Sequence, residues 1–143
     1  MREELENQLR EKYPQILNAE ESRFYGFECD DGWYDIIDTM CGLIQHKIDW
    51  NNAEGKFHHH KPLNPLIPQV VAAQVKEKFG SLRFYYSGGN NEVRGIVEMA
   101  EEMSRKTCEV CGNKGMIRDF NWISTLCDEH AKEREEKLKE KAA

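Results

Sequence analysis

The sequence predicts an α+β fold: a small antiparallel sheet packed on two or more helices, with a metal-binding segment at the C-terminal side. Three observations carry this expectation. Residues 70–86 alternate apolar and polar side chains around a glycine, as a β-hairpin does. Residues 33–48 and 92–105 repeat apolar side chains at helical spacing. Cys108-x2-Cys111 and Cys127-x2-His130 then fall in metal-ligand spacing. The chain of 143 residues is long enough to bury a core without help from a metal, and the pattern divides it into an α+β domain, 1–106, and a metal-binding segment, 107–143.

Residues 3–13 form a charged helix with Leu5, Leu9 and Tyr13 four apart, which Pro14 interrupts before Ile16 and Leu17. Residues 18–32 are acidic and turn-rich, and Phe24, Tyr25 and Phe27 suggest β structure that adds to the sheet. Asp30-Asp31-Gly32 supplies a helix start. From Trp33 to Ile48, the residues Trp33, Ile36, Ile37, Met40, Cys41, Ile44 and Ile48 share one face. A long connection, 49–69, holds His58, His59, His60 and three prolines.

In the hairpin around Phe79-Gly80-Ser81, the residues Val75, Phe79, Leu82, Phe84 and Tyr86 point inward. Gly88-Gly89-Asn90-Asn91 ends the hairpin and offers an N-cap to a helix whose buried stripe is Val93, Ile96, Val97, Ala100 and Met103. A last charged helix reaches Lys141, acidic at its start and lysine-rich at its end, in keeping with the helix dipole.

Charge narrows the function classes. The net charge of −6 lies mostly in residues 1–31, where nine acidic face four basic side chains, so the remainder is nearly neutral. Long-range attraction to nucleic acid is not advertised, and a local basic face stays open. No apolar run approaches the length of a membrane span and the N-terminus carries no apolar signal-like stretch, so a soluble, cytoplasmic protein is expected. Five cysteines in such a setting argue against a disulfide framework. Three have ligand spacing, and Cys29 and Cys41 read as buried thiols.

Three thiolates and one imidazole, from Cys108, Cys111, Cys127 and His130, suit a tetrahedral structural zinc ion whose closed coordination sphere leaves no place for a reactive water. Asp128 and Glu129, between the second ligand pair, read as capping residues. The internal histidine run, His58–His60, reads as an exposed polar loop or a weak metal site without fixed geometry. Asp30, Asp31, Asp35 and Asp38 read as helix-start and solvated carboxylates rather than an acid–base pair. Lys76, Lys78, Arg83 and Tyr85 share the outer face of the hairpin. They form either an ordinary solvated face or a basic–aromatic surface for a nucleotide or nucleic acid. Trp122 and Arg118 would extend that surface if the fold brought them there.

The order of cysteine knuckle, hairpin and ligand-bearing helix from Cys108 to about Glu136 resembles a treble-clef zinc finger. The stretch Gln74-Val75-Lys76-Glu77-Lys78-Phe79-Gly80-Ser81-Leu82-Arg83-Phe84-Tyr85, its following helix and Cys-x2-Cys, with the earlier Cys29-Asp30-Asp31-Gly32-Trp33-Tyr34, resemble small proteins of bacteriophages and prophages. That resemblance covers about residues 24–130 and implies an accessory protein of the host cytoplasm, without lending it an activity. The resulting expectation is a non-catalytic binding protein with a structural zinc, acting on a host component. The alternatives are nucleotide or nucleic-acid binding, including sequestration of a nucleotide immune signal, and a metal-dependent nuclease.

Overall fold

The computed structural model describes residues 1–18, 20, 24–53 and 65–143. His58, His59 and His60 lie outside the described residues. The architecture is α+β, and the sheet is mixed rather than purely antiparallel. β1 (Phe27–Glu28) runs parallel to β2 (Val71–Lys78), which pairs antiparallel with β3 (Ser81–Ser87), in the order β1-β2-β3. The reason lies in the connection. A parallel partner needs a crossover of a dozen or more residues, and the chain between β1 and β2 contains the long helix α3 (Tyr34–Asn52).

Helix α1 (Glu3–Lys12) buries Leu9, and after Pro14 the single turn α2 (Pro14–Leu17) buries Ile16 and Leu17. A turn of 3-10 helix over Asp31–Trp33 leads into α3. Neither Asp30 nor Asp31 caps it through its side chain. Asp31 instead accepts two hydrogen bonds from Arg2, each of 2.7 Å, and so ties down the N-terminal helix. Asp38 likewise accepts from the Tyr13 hydroxyl at 2.5 Å and from Lys12 at 3.3 Å. The α3 face is the expected one, with Ile37, Met40, Cys41, Ile44 and Ile48 buried. The helix runs on to Asn52, whose amide side chain exchanges hydrogen bonds of 2.8 and 2.9 Å with the backbone of Ile67 and closes the neck of the connection.

Val75, Leu82 and Phe84 are buried as the alternation predicts, but Phe79 is not: it is 64% exposed. It occupies the two-residue turn Phe79-Gly80, where φ is +52° and +80°, and a turn residue follows the turn's direction rather than the strand's alternation. Helix α4 (Asn91–Ser104) is capped by the Asn90 side chain, which accepts from the Val93 N–H at 3.0 Å. Its buried stripe is Val93, Val97, Ala100 and Ser104, with Met103 exposed. The stripe ends on a serine because α4 covers the outer edge of β3. Ser104 Oγ accepts from the Leu82 N–H at 2.8 Å, and the Glu101 carboxylate from the Phe84 N–H at 3.0 Å. Two edge donors that would invite another strand are thereby satisfied.

Among the described residues, no helix is long and apolar enough to cross a membrane. One buried cluster draws on residues from Leu9 to Ala100; a second, smaller one consists of Cys108, Leu126 and Ala131, with Val110, Phe120 and Cys127 packed against it.

Candidate metal centre and the neighbouring cleft

The C-terminal segment builds the predicted order of parts. A turn holds Cys108 and Cys111, the hairpin β4 (Met116–Asp119) and β5 (Ile123–Leu126) follows, and α5 (Asp128–Ala142) begins immediately after Cys127. The knuckle closes because Gly112, at φ +82°, lets its N–H reach the Cys108 carbonyl at 2.9 Å, while the Cys108 N–H reaches the Asn113 carbonyl at 2.7 Å. Cys127 is the N-cap of α5, its sulfur facing the His130 N–H at 3.5 Å. One helical turn then carries His130 back over the same point. Asp128 does not cap: it pairs with Arg118 at 2.7 Å and fixes β4 to the helix start.

The four ligand atoms lie within 4.8 Å of one another, and these residues form the one such group among the described residues. Cys111 Sγ is 3.8 Å from Cys127 Sγ, and Cys108 Sγ is 3.6 Å from His130 Nδ1. A tetrahedral ion with metal–sulfur bonds of about 2.3 Å and a metal–nitrogen bond of about 2.0 Å separates its ligands by about 3.8 Å and about 3.5 Å respectively. The arrangement is therefore compatible with one four-coordinate metal ion. Cys127 Sγ and His130 Nδ1 are closer, at 3.1 Å. Burial acts to raise the Cys108 thiol, but N–H groups of Cys127, Cys111 and Val110 outweigh it and hold that thiol below its ordinary range. The Cys111 thiol goes the other way, pushed up by burial and by the neighbouring Cys108 and Cys127 sulfurs, so of these two thiols Cys108 is the one held toward the thiolate that a metal ligand requires.

The centre is fastened to the rest of the protein by backbone contacts. The Gly32 N–H donates to the Glu109 carbonyl at 2.7 Å, the Trp33 indole N–H to the Thr107 carbonyl at 2.9 Å, and the Asp30 N–H to the Glu109 carboxylate at 3.1 Å. Burial, followed by repulsion from Asp30, pushes the Glu109 carboxyl up to about 7. On the other side, the Thr125 hydroxyl donates to the Gly80 carbonyl at the tip of the β2–β3 hairpin. The second hairpin thus leans against the turn of the first.

That contact creates a cleft of about 470 Å³ lined by Lys76, Glu77, Lys78, Phe79, Asn121, Trp122 and Ile123. Of the predicted basic–aromatic residues, Lys76 and Lys78 line it. Arg83 stands opposite Lys76 and Tyr85 opposite Gln74, and neither lines the cleft. Trp122 joins the two lysines, whereas Arg118 is engaged by Asp128. Phe79, read from alternation as a core residue, is the missed member. Its place beside Gly80, where asparagine or glycine is favoured, was the signal.

Cys29 and Cys41 are buried free thiols, both pushed up to about 12, chiefly by burial. Comparison of the chain with protein-family models, with curated proteins and with solved structures gave no match.

Proposed function

We propose that this chain is a non-catalytic binding protein whose C-terminal segment is a treble-clef-like finger organised by one structural zinc ion. The observation that carries the reading is the convergence of three sulfurs and one imidazole nitrogen, all from the chain, within 4.8 Å. Four protein ligands complete the tetrahedron zinc prefers, leaving no vertex for an activated water. Zinc suits three thiolates and one imidazole better than magnesium or calcium, which take oxygen ligands. Sites of this kind contribute an apparent ~10–16 kcal/mol in isolated finger peptides, enough to fix a hairpin and a helix whose own buried cluster has three members.

The target we propose is a host component, in keeping with the resemblance of residues 24–130 to small phage and prophage proteins. Native mass spectrometry of protein purified without added metal or chelator tests the assignment. One zinc per chain is expected, and it should be lost together with the finger's structure on chelation. Metal-dependent turnover, or a water in the metal's coordination sphere, would sink the non-catalytic reading.

A further inference from the structure

The cleft between the two hairpin turns holds a combination that folding alone does not explain. Phe79 sits at φ +52°, a conformation unfavourable for a bulky side chain, yet it stays 64% exposed. An asparagine at that turn position would fit the backbone better. Across the cleft Trp122, at the tip of the second hairpin, is 69% exposed. Lys76 and Lys78 line the same cleft, and the Lys78 ammonium lies 5.8 Å from the centre of the Phe79 ring. Among the described residues, neither lysine makes an ion pair. Backbone strain at an exposed aromatic side chain points to a role for that side chain outside the fold.

We propose that this cleft binds a small nucleotide, its base stacking on Trp122 and Phe79 and its phosphate held by Lys76 and Lys78. The volume of about 470 Å³ lies in the range of small-molecule sites. Aromatic faces accept any base, and two cations beside them supply the counter-charge. Glu77 also lines the cleft and accepts from the Gly80 N–H at 3.4 Å, which directs its carboxylate to the turn. Beyond Trp122 the adjoining hollow is of mixed charge, lined by Glu28, Asp30, Glu77 and Glu109 together with Met1, Arg134 and the shared Lys76. The two lysines without an ion pair are the place for a phosphate, and the carboxylates next to them leave no continuous cationic track for a long polyanion. The proposal deepens the binding-protein reading by naming a ligand class and a site. It also gives the metal a role, since the metal-bound hairpin presents Trp122.

The test uses the full metal-loaded chain, with adenosine and guanosine 5′-monophosphates and a ten-residue oligothymidylate as probes. Binding is followed by calorimetry and by the indole N–H resonance of Trp122. The mononucleotides are expected to shift that resonance and leave that of the buried Trp33 in place. Trp122→Ala and Lys78→Glu should each weaken binding on the order of tenfold. Phe79→Asn should weaken binding similarly while leaving the melting temperature equal or higher, which separates loss of a stacking surface from loss of the fold. Parent-like affinity in Phe79→Asn and Lys78→Glu would overturn the proposal. So would an unmoved Trp122 resonance at millimolar nucleotide in protein carrying one zinc per chain, a result that leaves the zinc reading standing. Binding of the oligonucleotide alone, with a steep salt dependence, would overturn the small-nucleotide assignment in favour of single-stranded nucleic acid.

Discussion

Replacing Gly32 by alanine should weaken the attachment of the candidate metal centre to the α+β body. A methyl group at Gly32 would stand 2.2 Å from the Cys108 carbonyl oxygen and 2.4 Å from that of Glu109. Both obstacles are backbone atoms held in the knuckle, so no side chain can swing away. Forcing an extra carbon into a packed contact costs about 1–3 kcal/mol, and separating the strands of chain also weakens the 2.7 Å hydrogen bond from the Gly32 N–H to Glu109, worth about 0.5–1.5 kcal/mol. The expected loss is about 2–4 kcal/mol, or about 6–12 °C in melting temperature at about 3 °C per kcal/mol for a chain of this length. Gly95→Ala is the matched control. It lies in α4 with nothing within 4 Å of the added methyl, and alanine is favoured over glycine within a helix by about 0.5–1 kcal/mol. The same chemical change should therefore have opposite signs at the two positions. Thermal melts at a fixed, buffered zinc concentration measure it, because metal binding itself shifts the melting temperature. An unchanged melting temperature in Gly32→Ala would refute the close packing of knuckle against helix start.

Thiol counting separates the two kinds of cysteine. In the native, metal-loaded chain at pH 8, a chromogenic disulfide reagent should find almost no reactive thiol; after chelation it should find Cys108, Cys111 and Cys127. Cys29 and Cys41 should stay silent until the body unfolds, because burial holds their thiols at about 12; five fast-reacting thiols after chelation would contradict this. Stability should also fall on the alkaline side. These two thiols ionise in the unfolded chain near 9 but only near 12 in the folded one, so their contribution is complete below pH 9 and is lost as the pH rises from 9 to 12. Denaturant titrations over that window should show a shallower fall in Cys41→Ala than in the parent. Ser104→Ala should cost about 1–3 kcal/mol by leaving the buried Leu82 N–H without its acceptor, read as a lower urea midpoint with an unchanged slope.

What the sequence made legible is what local periodicity and spacing encode. The α3 face from Ile37 to Ile48, the Asn90 cap and the two Cys/His pairs that meet in one cluster follow from rules that act within one or two helical turns. What escaped was decided by neighbours distant in sequence. The parallel pairing of β1 depends on where the chain returns after α3, and the Asp31 carboxylate was drawn from helix capping by Arg2. Met103 lies off the buried stripe, which ends instead on Ser104, whose hydroxyl serves the edge strand. Phe79 is the most instructive case, since alternation and turn chemistry made opposite predictions for one residue. A two-residue turn with positive φ at both positions overrides the strand's period, so the ring leaves the core. Trp122 reaches the same cleft where Thr125 bonds to Gly80, a contact spanning 45 residues that no local pattern announces. A surface assembled from two turns is thus hidden from periodicity on both sides. The trace it leaves in the sequence is an aromatic residue where a turn favours asparagine or glycine.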